Sequence, residues 1–316
     1  MTKDNQQLTD TILMIRPVKF GYNVETAINN HYQRELSDVP PEEIQQRALA
    51  EFNQLANILR QRGVNVITVD DTAEKETPDS IFPNNWISFH QDGTVVTYPM
   101  WALNRRKERR DDILSTLIKD HKYAIRRKID YSYFEAEEKF LEGTGSMVLD
   151  RENRIAYACV SPRTHLHLLS EFCQEFGYRP IVFIASQMID EGFAEIYHTN
   201  VMMSIGKEFA IFCADALKNT WEQQDILRII KDTDKEIILI TEEQCNHFAG
   251  NMLQVKNQQG EKLLVMSEQA YYSLNKEQIK QIRQYTDIVY SPLNTIEACG
   301  GGSARCMMAE VFLPKN

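Results

Sequence analysis

The sequence predicts one α/β domain that spans residues 1–316. Short runs rich in β-branched and aromatic residues alternate with longer stretches in which apolar residues recur every three or four positions. No stretch rich in proline, glycine or serine divides the chain, and no low-complexity segment or exact repeat occurs. Neither a G-x-G-x-x-G motif nor a P-loop is present, so a nucleotide-binding sheet is not supported.

The predicted strands and helices follow one another along the whole chain. The predicted strands are 12–18, 64–69, 94–98, 155–160, 180–184, 201–205, 209–213, 236–240, 263–266 and 288–290. The predicted helices are 41–62, 110–119, 164–176, 220–231 and 275–285. The first helix is the clearest, because Ile44, Ala48, Phe52, Leu55 and Leu59 fall on one helical face.

Charge and composition narrow the possible functions. The net charge of −10 argues against nucleic acid and anionic membranes as main partners. The first ten residues are polar, and no apolar run approaches the ~18 residues of a membrane-spanning helix. The six cysteines form no C-x-x-C pair, which favours reduced thiols. We therefore expect a cytoplasmic protein with a small-molecule partner; a monomer and a homo-oligomer both remain open.

Four polar segments interrupt apolar surroundings and are candidates for a functional site: 79–86, 141–149, 196–201 and 298–308. In the third, His198 and Asn200 would share one face if residues 196–205 formed a strand. In the fourth, three consecutive glycines precede Cys306. Glycines let the backbone approach a ligand closely, and their N–H groups can bind a developing oxyanion.

Each of these segments also has a purely structural interpretation. His198 fits a hydrogen-bonded core histidine, and Cys306 fits a buried cysteine after a turn. Glu142 stands at the start of a Gly-x-Gly turn and fits a solvated loop residue. A cysteine and a distant histidine are a permissible nucleophile and base, but the pair alone is weakly specific.

Taken together and in chain order, the segments resemble the guanidine-modifying, or pentein, superfamily, which includes arginine deiminase, dimethylarginine dimethylaminohydrolase and glycine amidinotransferase. The turn at 141–145 (L-E-G-T-G) resembles that superfamily's E/D-G-G-D turn. Residues 197–200 (Y-H-T-N) resemble its H-L-D strand, and 300–306 (G-G-G-S-A-R-C) its catalytic-cysteine loop. Residues 160–164 (V-S-P-R-T) resemble a further S-x-R-T segment. The resemblance extends from Ile12 to near the C-terminus.

Three further segments are similar to the branch that contains citrulline-utilising hydrolases. They are I-R-P at 15–17, N-N-W at 84–86 and N-R-R-K-E-R-R at 104–110. The resemblance implies a fold that periodicity does not reveal. That fold is a five-bladed α/β propeller of ββαβ-type units around a central active site.

The resemblance also implies roles for individual residues. Cys306 would be the nucleophile, His198 the general acid and base, and Glu142 the carboxylate that orients the reacting group and the imidazole. Such chemistry needs neither a metal nor an organic cofactor.

The resemblance further implies a set of substrate-binding side chains. They are Arg163 and one of Arg105 or Arg106 for a substrate carboxylate, Asp79 for an α-amino group, and Phe82 as a wall of the pocket.

The chain departs from the superfamily pattern at several positions. Asn84 and Asn85 stand where guanidine-cleaving relatives have acidic residues, Asn200 stands where deiminases have an aspartate, and Gly145 replaces the last aspartate of the turn. A guanidinium is a cation that offers only N–H donors, so carboxylates suit it. A ureido group is neutral and also carries an acceptor oxygen, so amides suit it better.

The sequence therefore predicts a cysteine-dependent hydrolase of a ureido amino acid, with citrulline as the leading substrate. A guanidino hydrolase or an amidinotransferase that uses the same Cys306 is the first alternative. The second is a non-catalytic pentein-fold protein that binds a partner. The combination of Glu142, His198 and Cys306 argues against the second alternative.

Overall fold

The computed structural model describes residues 6–189 and 192–316. Within this part of the chain the strands are β1 Thr11–Arg16, β2 Asn65–Asp70, β3 Ile87–Phe89, β4 Thr94–Thr97, β5 Arg127–Asp130, β6 Met147–Asp150, β7 Ile155–Cys159, β8 Arg179–Phe183, β9 Ser186–Ile189, β10 Gly192–Glu195, β11 Met203–Ile205, β12 Phe209–Phe212, β13 Glu236–Leu239, β14 Leu253–Lys256, β15 Lys262–Ser267, β16 Asp287–Ser291 and β17 Ala309–Glu310.

The helices lie mostly between the strands. They are α1 Val24–Ala27, α2 Pro41–Gln61, α3 Asp111–Lys119, α4 Gly143–Ser146, α5 Leu166–Phe176, α6 Thr220–Lys231, α7 Glu242–Asn246, α8 Glu268–Ser273, α9 Lys276–Ile282 and α10 Asn294–Gly300. Short 3₁₀ turns form at Pro83–Asn85, Arg105–Glu108, Ser132–Glu137, Thr199–Val201 and Ala214–Ala216.

The strands form small mixed sheets that repeat one pattern. The described residues contain five three-stranded sheets: β17-β1-β2, β3-β4-β5, β6-β7-β8, β11-β12-β13 and β14-β15-β16. In each sheet the central strand pairs antiparallel with one neighbour and parallel with the other. One or two helices cross over between the parallel strands, as parallel pairing requires. The predicted α/β class is confirmed.

The first of these sheets joins the two ends of the described chain, because β17 pairs with β1. A separate hairpin, β9–β10, makes up the remaining strand pairs. None of the sheets formed by residues 6–189 and 192–316 closes on itself. The arrangement of the five units around an axis remains a prediction.

Helix α2 shows why the sequence forms these elements and how they support the later site. Its predicted apolar face is buried, and a proline at its first position suits the helix start. This face packs against β1, β14, β15 and β16 and against the segment that carries Cys306. The Glu51 carboxylate accepts hydrogen bonds from the N–H groups of Thr295 and Ile296, at 2.9 Å and 3.0 Å, and so caps α10 from outside.

The strand predicted over residues 201–205 forms over Met203–Ile205, and the longer strand 196–205, on which the shared face of His198 and Asn200 depended, does not form. His198 instead precedes the 3₁₀ turn Thr199–Val201, and only Met203–Ile205 is a strand. The expectation that His198 and Asn200 share one face of a strand therefore does not apply. The short strands β3, β5, β6, β14 and β17 and the hairpin were not predicted.

No helix within the described residues is long and apolar enough to cross a membrane. In the same part of the chain, no group of three or more histidine, cysteine, aspartate or glutamate side chains is arranged to hold a metal ion.

Candidate active site

The turn after Glu142 brings two of the predicted segments together. Gly143 has φ of +48°, and a Cβ atom there would lie 2.3 Å from the carbonyl oxygen of Asn84. Only glycine fits both the backbone conformation and this contact. The Glu142 N–H donates to Ser146 Oγ at 2.9 Å and to the Arg163 carbonyl at 3.2 Å. The segments around Asn84, Glu142 and Arg163 therefore meet at one buried place.

Glu142 and His198 form a buried pair. Glu142 Oε2 lies 2.8 Å from His198 Nε2, and Glu142 Oε1 accepts the Trp101 N–H at 2.9 Å. Thr199 Oγ1 holds the histidine segment in place, because it donates to the Ser146 carbonyl at 2.6 Å and accepts the Cys159 N–H at 2.8 Å. The predicted pairing of Glu142 with the imidazole is present in the geometry.

Burial and neighbouring charges set the protonation states of this pair. Burial alone would raise the pKa of Glu142, but the Arg163 guanidinium and the hydrogen bond to His198 outweigh it and lower the pKa to about 2. Burial lowers the pKa of His198 to about 4, although the Glu142 hydrogen bond opposes this. At neutral pH the carboxylate is ionised and the imidazole is neutral. Nε2 then carries the proton that Glu142 accepts, and Nδ1 is left as an acceptor.

Cys306 follows a glycine turn that closes onto Phe82. Helix α10 ends at Gly300, and Gly301 is left-handed with φ of +61°. A Cβ atom on Gly300 or Gly302 would lie 2.8 Å or 3.0 Å from the Phe82 ring. The close approach expected of these glycines is therefore an approach to Phe82, and Phe82 packs against the cysteine loop.

Two side-chain amides contact the sulfur of Cys306. Asn200 Nδ2 lies 3.3 Å and Asn251 Nδ2 lies 3.2 Å from Cys306 Sγ. Tyr197, next to His198, donates through its hydroxyl to the Gly301 carbonyl at 2.6 Å. The segment that carries His198 and the loop that carries Cys306 are thus joined by a hydrogen bond.

The three predicted amides each leave one polar atom without a partner. Asn84 Nδ2 donates to Thr144 Oγ1 at 3.3 Å, Asn85 Oδ1 accepts from Arg105 at 2.9 Å, and Asn200 Nδ2 contacts Cys306. Asn84 Oδ1, Asn85 Nδ2 and Asn200 Oδ1 are buried and have no hydrogen-bond partner among the described residues. We call these three the open amide atoms.

Gly145 has no side chain, and this leaves space that Asn85 and His198 both border. A Cβ atom on Gly145 would lie 2.4 Å from Asn85 Nδ2 and 2.8 Å from His198 Nδ1. A side chain at residue 145 would therefore displace both groups. The loss of the superfamily's aspartate at this position makes room for the Asn85 amide beside the His198 ring.

Arg163 and Asp79 contact the chain around α1 rather than open space. Arg163 Nη2 donates to the Thr26 carbonyl at 3.0 Å, and its Nε donates to Asn29 Oδ1 at 2.9 Å. Asp79 Oδ2 accepts from Asn23 at 2.7 Å and from the Thr26 hydroxyl at 3.0 Å. Asp79 Oδ1 has no partner within the described part of the chain. A substrate bound at Arg163 would have to displace Asn29.

Arg105 and Arg106 have different surroundings. Arg105 is buried and donates to both carboxylate oxygens of Glu108, at 2.9 Å and 3.0 Å, as well as to Asn85. Arg106 is partly exposed and donates to the carbonyls of Met100 and Trp101. Arg105 thus holds Asn85 in place, whereas the carboxylate-binding role of either arginine remains a prediction.

The sequence analysis missed Asn251. Its signal was weak but present: a single asparagine after Gly250, between the apolar stretches F-A-G and M-L. It precedes the first strand of its sheet, as Asn85, Asn200 and Cys306 precede β3, β11 and β17. This shared position becomes visible only once the strand boundaries are known.

Comparison with known proteins identifies the family. The family model described as N,N dimethylarginine dimethylhydrolase, eukaryotic, matches residues 16–313. The chain belongs to this dimethylarginine dimethylhydrolase family. It is therefore a member of the pentein superfamily, whose hydrolases act on C–N bonds. No curated protein sequence matches it significantly.

Solved structures of the same superfamily share its fold. The substrate-bound N-terminal domain of ArgZ, an arginine dihydrolase from Cyanobacteria, has a TM-score of 0.72 at 18% identity, with 95% of this chain and 97% of that domain covered. The apo structure of ArgZ gives the same TM-score and identity, with 97% of this chain but only 41% of that chain covered. DDAH from Pseudomonas aeruginosa, a mutant complexed with citrulline, has a TM-score of 0.64 at 13% identity, covering 96% and 100%.

Proposed function

We propose that this member of the dimethylarginine dimethylhydrolase family is a cysteine-dependent hydrolase of a ureido amino acid, with citrulline as the leading substrate. The observation that carries the proposal is the orientation of Asn85. A guanidinium can only donate, so Arg105 fixes Asn85 Oδ1 as the acceptor and leaves Nδ2 as an open donor beside His198. A ureido oxygen would accept from this donor, whereas a guanidinium has no acceptor to offer it.

The remaining open amide atoms support the same substrate. Asn84 Oδ1 and Asn200 Oδ1 are acceptors, and a ureido group has N–H donors for them. Two acceptors and one donor match a neutral group that carries both functions. Buried polar atoms without partners are costly, so binding a group that pairs them all is favoured over one that leaves Asn85 Nδ2 unpaired.

In the proposed mechanism, the sulfur of Cys306 attacks the ureido carbon. His198 takes the thiol proton of Cys306 at Nδ1 and passes it to the leaving nitrogen, while Glu142 keeps the ring oriented through Nε2. The C–N bond breaks and a thioester-like covalent intermediate remains on Cys306. Water, deprotonated by His198, then attacks this intermediate, the C–S bond breaks, and the sulfur regains its proton from His198. The carbamate released in this step loses carbon dioxide, which frees the second nitrogen. Citrulline and one water would give ornithine, carbon dioxide and ammonia.

We also propose that the five sheets are the five blades of a propeller and that residues 1–316 act as one catalytic domain. The support is positional: Asn85, Gly145, Asn200, Asn251 and Cys306 each lie two or three residues before the first antiparallel strand of a different sheet. A pseudo-fivefold arrangement would bring these equivalent positions to one axis. The cytoplasmic location and the oligomeric state remain predictions from the sequence.

A guanidino hydrolase is the second candidate. The matched family is one of dimethylarginine hydrolases, and ArgZ is an arginine dihydrolase. The unpaired Asp79 Oδ1 and the ionised Glu142 are carboxylate oxygens of the kind that cationic substrates prefer. This candidate uses the same nucleophile and differs in the group that the amides recognise.

The test compares citrulline and arginine with the wild-type enzyme, with release of ammonia and ornithine as the readout. The ureido proposal predicts a higher kcat/KM for citrulline and equal amounts of ammonia and ornithine. A preference for arginine would overturn the ureido proposal in favour of the guanidino candidate. A parallel reaction of arginine with an added amine acceptor distinguishes hydrolysis from amidino transfer, because only transfer forms a new guanidino product.

A further inference from the structure

We propose that Asn251 is a catalytic residue that holds the sulfur of Cys306 and stabilises its thiolate by donating a hydrogen bond. This inference rests on the proposed role of Cys306 as nucleophile. It starts from the contact between Asn251 Nδ2 and Cys306 Sγ at 3.2 Å. Both residues are buried.

The other contacts of Asn251 fix which end of its amide faces the sulfur. Its Nδ2 also donates to the Asn200 carbonyl at 3.0 Å, and its Oδ1 accepts the Arg305 N–H at 3.1 Å. Turning the amide over would place oxygen against oxygen and N–H against N–H. The orientation is therefore determined by two backbone groups, and a donor must point at Cys306 Sγ.

The chain before Asn251 is shaped to deliver this amide. Phe248 adopts φ of +60°, a left-handed conformation that is unfavourable for a bulky residue. Gly250 packs so closely that a Cβ atom there would lie 2.3 Å from the Val201 carbonyl oxygen. Unfavourable backbone conformations that persist in a buried turn are commonly found at functional sites.

Asn251 and Asn200 differ in how many of their amide atoms are already paired within the protein. Both donate to the sulfur, but Asn200 Oδ1 is one of the open amide atoms, so that residue has an atom left for substrate. Asn251 uses its amide oxygen and both of its N–H groups within the protein. Asn251 is therefore the fixed donor to Cys306. A hydrogen bond to a charged group is stronger than one to a neutral group, so this donor stabilises negative charge on the sulfur.

The experiment measures thiolate formation without any substrate. Wild type, Asn251→Asp and Asn251→Ala are alkylated with iodoacetamide across a range of pH, and mass spectrometry of the Cys306 peptide gives the rate. Alkylation of Cys306 near neutral pH should fall by roughly tenfold or more in Asn251→Ala, the size expected for losing a hydrogen bond to a charged group. It should fall further in Asn251→Asp, because a carboxylate would face the sulfur.

Asn257→Ala is the matched control. Asn257 is buried and follows β14 just as Asn251 precedes it, but its amide donates to the Arg62 carbonyl and to Glu261. This variant should lose stability in thermal unfolding and keep the wild-type alkylation profile. If Asn251→Asp does not fold, Asn251→Ala carries the test alone.

The outcomes separate this inference from the proposed function. Alkylation profiles of the Asn251 variants that coincide with wild type, for proteins that remain folded, would overturn the inference while leaving Cys306 as nucleophile. The same fall in the alkylation rate of Cys306 in Asn257→Ala would also overturn the inference, because the effect would then come from lost stability. Citrulline turnover that survives complete alkylation of Cys306 would instead remove the nucleophile on which both proposals depend.

Discussion

The two sides of the candidate site differ in how completely their polar atoms are paired. On the Glu142 side, both carboxylate oxygens accept hydrogen bonds, and Arg163 and His198 are held by neighbouring groups. On the amide side, Asn84, Asn85 and Asn200 each keep one open amide atom. The Glu142 carboxylate is fully paired in the free protein, whereas the amide side lacks partners that a substrate would supply.

Under the proposed function, this difference separates the groups that transfer protons from the groups that select the substrate. Groups that move protons need fixed orientations and pKa values, and these are set by burial and neighbouring charges. Groups that select a substrate contribute most when their pairing depends on the right ligand, because the wrong ligand leaves them buried and unpaired. Cys306 is connected to both sides. Its sulfur contacts Asn200, and Asn200 follows His198 by two residues in the chain.

The largest effect is expected at Cys306. Cys306→Ala should abolish turnover of citrulline and of arginine while leaving the fold intact, because no covalent intermediate can form. Steady-state assays and circular dichroism check this. Cys299→Ala is the control: Cys299 is buried in the same cluster, and its thiol has a pKa raised by burial. An active Cys306→Ala together with an inactive Cys299→Ala would move the nucleophile to Cys299.

The next effect concerns the amide side alone. Asn85→Asp replaces the donor beside His198 with an anion facing the ureido oxygen, so kcat/KM for citrulline should fall by about 10²–10³-fold, the cost of losing an oxyanion donor. Arginine should lose less or gain, because its cation acquires a partner. Asn219→Asp, at the exposed start of α6, is the control and should change neither substrate. Equal losses on both substrates would show that Asn85 does not discriminate between them.

The smallest effect concerns the Glu142 side and its pH dependence. Neutral His198 is needed to accept a proton, and its pKa is lowered to about 4. Activity should therefore be retained as the pH falls below 6.5, the ordinary value for histidine, and be lost only as it passes through about 4. The acid limb of kcat/KM, measured after brief exposure to each pH, checks this. A limb near 6.5 would mean that His198 is not the group whose protonation stops the reaction.

Stability has to be followed in the same pH range. A histidine with a lowered folded pKa contributes stability that is present above about 6.5 and is lost as the pH falls towards 4. Glu142, with its pKa lowered to about 2, loses its contribution between about 4.5 and 2. Thermal unfolding measured at the same pH values therefore separates acid inactivation at His198 from acid unfolding.

Helix α2 and the candidate site residues could be proposed from the sequence for local reasons, and the roles of those residues stay predictions. The apolar face of α2 has a clear helical period, and its residues are buried as expected. Glu142, His198 and Cys306 were identified by short motifs in a fixed order, and the structure places Glu142 and His198 in contact although 56 positions separate them. A short motif could mark Glu142 because Gly143, the residue after it, has no room for a side chain.

Only the tertiary structure decided the rest. Asn251 lies 55 positions from Cys306, and no periodicity or motif in the sequence connects them. The donor at Asn85 depends on Arg105, whose guanidinium forces the amide oxygen to face it. Five residues occupy equivalent positions, each two or three residues before the first antiparallel strand of its sheet. The sequence did not show this equivalence, because the strands are only two to six residues long. A sequence records which side chains are available, but the direction of an amide depends on partners that folding brings together from distant parts of the chain.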